Sequence, residues 1–283
     1  MEKRRYGRTN VKLSVIGFGG IIVMNESQEA ANRIVAEAIE RGINYFDVAP
    51  SYGDAEERLG PALEPYRDSV FLACKTLKRT KKEALEELHQ SLKRLRTDHF
   101  DLYQLHAVST LDDVNQIFSE GGAIEAFLEA REQGLIKYIG FSAHSEEAAL
   151  ALLDRFDFDS ILFPINWVCW FQRGFGPRVV EKAKEKNVAI LAIKTLAKRK
   201  LKEGEKRKRP KCWYAPIESF DEALMAVRFT LSLPVTAAVS PGYADLLWWM
   251  CDAAEMFKPL SEEEMKSIAE KSVGLEPIFP QRR

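Results

Sequence analysis

The chain has 283 residues, with 41 Lys and Arg against 42 Asp and Glu. A net charge of -1 supplies no overall attraction to nucleic acid or to an anionic membrane, so neither is expected as a partner. Cys74, Cys169, Cys212 and Cys251 are scattered and form no C-x-x-C pair, which argues against a disulfide framework or a local zinc or iron–sulfur site. No uninterrupted apolar run approaches the roughly 20 residues of a membrane span. Met1–Arg5 leads into polar, strand-like sequence without the apolar core of a signal peptide, so the chain reads as cytoplasmic. The length suits one large α/β barrel or two smaller domains, and a single domain over 1–283 is the expectation.

Arg5 to Ser14 alternates polar and apolar residues around Gly7-Arg8-Thr9-Asn10, which predicts a β-hairpin able to plug one end of a barrel. Val15–Phe18 follows as a strand. Ser27–Arg41 then has a helical apolar stripe at Ile34, Ala38 and Ile39, with Ser27 as N-cap and Gly42 as its stop. The unit repeats. Strands are predicted at 15–18, 43–46, 70–73, 100–105, 136–141, 160–163, 188–193 and 235–239, with helices at 54–64, 81–96, 122–133, 145–155, 176–186 and 219–232. Eight apolar strands alternating with amphipathic helices predict a parallel sheet closed as a (β/α)8 barrel. An open doubly wound sheet is the alternative. Gly17-Phe18-Gly19-Gly20 lacks the G-x-G-x-x-G spacing which that fold uses for a dinucleotide.

Catalytic groups of such barrels stand at the C-terminal ends of the strands. Asp47, Lys75, His106, Ser142, Asn166 and Lys194 fall at or just beyond the ends of strands two to seven, so six polar groups converge on one rim. Each alone has a bland reading as a cap, a solvated lysine or a structural histidine. In Asp47-Val48-Ala49-Pro50-Ser51-Tyr52-Gly53 a carboxylate and a phenol lie five residues apart. A phenol of ordinary pKa about 10 donates a proton at neutral pH only where a cation stabilises the phenolate. Lys75 is that cation, Asp47 can hold it, and His106 can hydrogen-bond a carbonyl oxygen or pass a proton. The set suits proton delivery to an oxygen that gains negative charge, as in carbonyl reduction. No side chain of the set stores a hydride, so a nicotinamide must bring it.

Asp47, Tyr52-Gly53, Lys75 and His106, followed by Ile139-Gly140-Phe141-Ser142 and Asn166, resemble the aldo-keto reductase family from the hairpin to about residue 256. The resemblance implies a (β/α)8 barrel that reduces a small-molecule aldehyde or ketone with NADP(H). In it Tyr52 is the general acid, Lys75 and Asp47 tune it, and His106 orients the carbonyl. It also implies a cofactor cradle of Gly20, Ile21, Asp47, Ser142, Asn166, Lys194, Thr195, Leu196, Ser240, Gly242 and Asp245, with Ser142 and Asn166 beside the carboxamide.

Two departures stand out. Lys194-Thr195-Leu196 replaces the family's more usual Ser-Pro-Leu. After Val239-Ser240-Pro241-Gly242 the basic partner of a 2′-phosphate is missing, and Asp245 there favours a ribose hydroxyl, so NAD(H) is the alternative cofactor. The basic run 198–211 is a solvated loop or a flap that brings Lys198, Arg199 and Lys200 to that phosphate. Trp248 and Trp249 stack on adenine or belong to a helix core. Met24, Trp167, Trp170, Phe171, Trp213 and Tyr214 are candidates for an apolar substrate pocket. A nicotinamide-binding sensor on the same barrel is the competing function, and a metal-dependent hydrolase is disfavoured because the four His form no H-x-H or H-x-x-x-H pair.

Overall fold

The computed structural model describes residues 1–279, so the last four positions of the expected domain over 1–283 lie outside the described residues. Strands β1 (Ile16–Gly19), β2 (Tyr45–Asp47), β3 (Phe71–Thr76), β4 (Phe100–Val108), β5 (Ile136–Ala143), β6 (Ser160–Pro164), β7 (Ala189–Ile193) and β8 (Ala237–Val239) are parallel neighbours in that order. β8 pairs back onto β1, which closes the barrel. Every predicted strand is present, and the open sheet is excluded.

The helices are α1 (Gln28–Glu40), α2 (Ala55–Leu63), α3 (Lys81–Arg94), α4 (Leu111–Ile117), α5 (Ala123–Glu132), α6 (Glu146–Arg155), α7 (Trp167–Arg173), α8 (Pro177–Glu185), α9 (Phe220–Ser232), α10 (Ala244–Glu255) and α11 (Glu262–Ser272). Ser27, the cap expected from the sequence, accepts a backbone N–H at the start of α1, and Thr80, Ser145 and Ser219 do the same for α3, α6 and α9. Sequence reasoning missed α4 and α7, which are too short to show a period, and α11. It also missed the extent of α10, whose Leu-Leu-Trp-Trp-Met-Cys run buries Leu246, Leu247, Met250 and Cys251 and shows little amphipathic contrast. A single 3-10 turn, Gly20–Val23, stands behind β1 where no helix was expected.

Successive strand residues face opposite sides. Tyr45, Phe71, Ala73, Leu102, Leu162, Leu191 and Ala237 therefore point inward and fill the barrel, while their neighbours pack under the helices. The N-terminal hairpin, Lys3–Arg5 paired antiparallel with Lys12–Ser14, closes the bottom. Its Tyr6 is fully buried, 5.2 Å from the Phe71 ring and 5.4 Å from the Tyr138 ring. The hairpin turn is seated close: a Cβ on Gly7, whose φ is 53°, would lie 2.8 Å from the Asn187 carbonyl oxygen. Tyr6→Ala should therefore leave a cavity under the barrel and lower unfolding free energy by about 3–5 kcal/mol. A denaturant titration checks this, and a midpoint equal to the parent's would show that the hairpin adds nothing to the core.

Candidate active site

The inward register of the strands builds the site. Tyr45 and Asp47 on β2, Ala73 and Lys75 on β3, and Leu102, Gln104 and His106 on β4 occupy alternate positions, so each polar residue sits one pleat above the packed interior. Lys75 lies inside its strand, not beyond the end. Its side chain is fully buried and donates to Asp47 Oδ1 and, at 3.2 Å, to the Val48 carbonyl oxygen. The other carboxylate oxygen of Asp47 accepts from Gln104 Nε2 at 2.9 Å and from the Tyr45 hydroxyl at 3.2 Å. Tyr45 and Gln104 were not anticipated, although both stand two residues before a residue that was.

Burial works against the Lys75 charge, but Asp47 and Tyr52 outweigh it and hold the pKa above the ordinary value. Tyr52 has its ring centroid 5.2 Å from Lys75 Nζ. Burial raises its pKa, Lys75 pulls it back down, and Asp47 adds to the rise; the net shift is upward, so the phenol keeps its proton at neutral pH. The His106 ring meets Tyr52 edge-on, with centroids 5.9 Å apart. Burial, reinforced by the Lys75 charge, pushes its pKa down to about 2, which makes it a neutral imidazole with one N–H to give. Its Nδ1 has no hydrogen-bond partner among the described residues. Ser142 Oγ accepts the Ala107 N–H at 2.7 Å and so braces the β4 irregularity next to His106, where Ala107 has φ 53°.

These groups border a cavity of about 210 Å³. Asp47, Tyr52, His106 and Ser142 line one side; Ile21, Lys194, Thr195, Leu196, Ser240 and Gly242 line the other, with Lys75 beneath. Backbone approaches closely on that second side. A Cβ on Gly19 would run into the Ser240 carbonyl oxygen, and one on Gly242 would lie 3.2 Å from Ile21.

The model of the Aldo/keto reductase family matches residues 15–273. The chain belongs to the aldo/keto reductase family. It is 36% identical over 157 residues to an uncharacterised oxidoreductase, YqkF, of Bacillus subtilis, a stretch covering 50% of this chain and 49% of that one. It is 30% identical over 217 residues to the aldo-keto reductase YhdN of the same organism, over 70% of this chain and 63% of the relative. The chain thus spans less than two thirds of the length of these relatives. Among solved structures, the holo form of aldo-keto reductase AKR11C1 from Bacillus halodurans superimposes with a TM-score of 0.75 at 26% identity, covering 100% of both chains.

Three residues expected in the cradle of this aldo/keto reductase do not line the cavity. Gly20 sits in the 3-10 turn, with Gly19 at the surface instead. Asn166 spends both amide hydrogens on the Lys194 and Ala197 carbonyls, at 3.1 and 2.6 Å, and its Oδ1 caps α7. Asp245 is taken by Arg209 in a two-pronged ion pair of 2.9 and 2.6 Å.

The basic run divides. Lys198 pairs with Glu222, Arg199 with Glu205 and Lys200 with Glu276, none of them lining this cavity, whereas Lys211 does. Lys198 and Arg199 line a second cavity of about 480 Å³ together with Trp249, and Trp248 carries the Arg41 guanidinium over its ring. Trp213 and Tyr214 line the first cavity as anticipated. Met24, Trp167, Trp170 and Phe171 do not; Trp167 is buried, and Trp170 and Phe171 pack on Phe229.

Sequence reasoning missed His144, which lines the cavity two residues past Ser142, a spacing that could have revealed it, and within the basic run 198–211 it singled out Lys198, Arg199 and Lys200 where Lys211 lines the cavity. His144 lies against Phe279, and burial followed by the Lys194 charge lowers its pKa to about 4. Both cavity histidines therefore fold neutral from an ordinary value of 6.5. Below about pH 6.5 the unfolded chain binds more protons, so stability should fall as pH drops, with the His144 share ending near pH 4. His144→Asn should flatten that decline by up to about 1.4 kcal/mol per pH unit. Urea midpoints at pH 7 and 4.5 measure it, and parallel curves would refute it.

Proposed function

We propose that this chain is an NAD(P)H-dependent reductase of an aldehyde or ketone, with Tyr52 as proton donor. One observation carries the reading: a buried, charge-compensated lysine stands beneath a protonated phenol and beside a neutral imidazole at the floor of one cavity. Gly19 and Gly242 let that wall pack closely on itself, since a Cβ on the first would meet the Ser240 carbonyl and one on the second the Lys211 and Ile21 side chains. Ile21, Lys194, Thr195, Leu196, Ser240 and Gly242 would hold the cofactor, which when bound supplies the hydride.

The chain's own residues manage the proton. The Tyr52 hydroxyl hydrogen-bonds the carbonyl oxygen and gives up its proton as negative charge develops there. The Lys75 ammonium then stabilises the phenolate, and Asp47 keeps that ammonium charged and fixed in a site poor in water. His106 donates its N–H to the same oxygen and sets the angle at which the carbonyl presents itself. Trp213 and Tyr214 offer the apolar body of a substrate a place at the mouth.

Tyr52→Phe removes the transferable proton and keeps the ring. The turnover number should fall at least about 100-fold, with cofactor affinity within about twofold of the parent. Steady-state rates with NADPH and a panel of aldehydes check it; a variant within tenfold of the parent would remove Tyr52 from the role. A parent that binds cofactor tightly and reduces none of the panel would support the sensor reading instead.

NADP(H) is the cofactor we favour. The repulsion expected from Asp245 is cancelled by Arg209, which lies in a loop joined to the cavity wall and can turn from a carboxylate to a phosphate. Arg209→Ala should weaken NADPH about tenfold and NADH far less. Titrating both cofactors into the variant decides the matter, since equal losses would mean that Arg209 does not read the 2′-phosphate.

A further inference from the structure

The peptide that joins His106 to Ala107 is held at both ends by side chains. Its N–H, on Ala107, donates to Ser142 Oγ at 2.7 Å, and its carbonyl, on His106, accepts from Arg79 Nη2 at 2.7 Å. The barrel ladder does not supply these partners, because β4 slips register against β5 between Leu105 and Val108 and Ala107 takes a left-handed φ of 53°. A residue with a Cβ adopts that conformation only where its surroundings enforce it. Arg79, in the loop between β3 and α3, is itself fixed twice: its Nε donates to Asp113 at 3.2 Å, and its carbonyl accepts the Ala123 N–H at 2.8 Å at the start of α5. Asp113 in turn takes the Ser109 and Thr110 N–H groups on its other oxygen, which ties the clamp to the start of α4.

That clamp leaves two buried atoms over. Nη1, the other arm of the same guanidinium, and Nδ1 of His106 have no hydrogen-bond partner among the described residues. Guanidinium nitrogens only donate, whereas an imidazole nitrogen without hydrogen only accepts, so the two orphans are complementary. The ring is neutral: burial, with the charges of Lys75, His144 and Arg79 adding to it, holds its pKa down at about 2. A neutral ring carries one hydrogen, and the bond made by one nitrogen decides which of the two holds it. On Nδ1 that hydrogen would lie buried beside a cation with no acceptor to meet. On Nε2 it leaves Nδ1 free to accept from Arg79 and gives the cavity, which His106 lines, a donor.

We propose that Arg79 is the positioning residue of His106: it fixes the 106–107 peptide through Nη2 and, through Nη1, selects the tautomer with hydrogen on Nε2, the donor needed at a carbonyl oxygen. A single bridging water completes the contact between Nη1 and Nδ1. The use of that donor in turnover rests on the reductase reading; the tautomer itself does not.

The tautomer is read from long-range proton–nitrogen correlations of the full chain labelled at histidine with nitrogen-15. Only four histidines are present, and His106→Gln identifies the signals of His106 by their loss. The parent at pH 7 should show hydrogen on Nε2. Arg79→Met should admit the Nδ1–H form, and its turnover number with NADPH and an aldehyde should fall about tenfold while the NADPH Kd stays within about twofold. Arg79→Lys, which keeps a cation and its donors, should retain the parent tautomer and recover part of the rate. Arg79→Gln, whose amide can donate or accept, should admit both tautomers and gives the same reading if Arg79→Met does not fold. Hydrogen on Nδ1 in the parent overturns the proposal without any variant. An unchanged tautomer in Arg79→Met overturns it as well, even in a slower enzyme, because an arginine that only braces the loop would cost rate and leave the ring as it was. A changed tautomer with turnover within twofold of the parent overturns the positioning role. A parent that reduces no aldehyde with NADPH or NADH overturns the reductase reading, while the spectra alone still decide whether Arg79 sets the tautomer.

Discussion

The ion pair between Lys75 and Asp47 is the constraint around which the upper half of the barrel is arranged. An ammonium with no exposure to solvent carries a desolvation cost of several kcal/mol, and it stays charged only where a fixed counter-charge and further acceptors replace water. Here the counter-charge is itself held by Gln104 and Tyr45, and the Val48 carbonyl completes the lysine's shell. Breaking one partner of such a pair costs far more than the pair contributes to folding, so this layer tolerates little substitution. What the pair maintains is a point of positive charge under Tyr52 whose position the β2, β3 and β4 register dictates.

The two sides of the cavity differ in how firmly they are made. Tyr52, His106 and Ser142 stand on or beside closed barrel strands, whose residues at the cavity are buried between the helices and the packed interior. The opposite wall, from Lys211 to Tyr214, is held through Arg209 with Asp245 and Lys211 with Glu26, partly exposed contacts of the kind that contribute little individually and weaken with salt. Rigid chemistry on one side and a weakly tethered wall on the other is the division of labour expected of a site that must admit a large ligand yet hold its reacting groups still.

Charge compensation also changes how individual residues are read. Asp245 looks like an element hostile to phosphate until Arg209, 36 positions earlier, is seen across it. Lys198, Arg199 and Lys200 look like the active part of the basic run, yet each has a carboxylate of its own. Lys194, by contrast, is a cavity lysine with no carboxylate or carbonyl partner among the described residues.

The period-two and 3.6-residue patterns, with the cap at Ser27, were sufficient to read eight strands, seven helices and the closed barrel, because those signals are local and the barrel obeys them. Asp47, Lys75 and His106 were legible for the same reason, since they stand at or near the ends of three neighbouring strands that share a rim, and Tyr52 follows from its place in the turn after Asp47. Helices α4, α7 and α11 and the extent of α10 were not: α4 and α7 are too short to show a period, α10 is apolar over most of its surface, and the local capping boxes Thr110–Asp113 and Ser261–Glu264 went unread. The positions of Asn166, His144, Arg209 and Lys211 were decided by tertiary structure alone. Which hydrogen bonds Asn166 makes depends on a left-handed turn at Lys194, and which carboxylate Arg209 faces depends on how a loop crosses the start of α10. Sequence spacing carries information about neighbours along the chain, whereas charge pairing across a barrel mouth is set by the three-dimensional path of segments that share no periodicity.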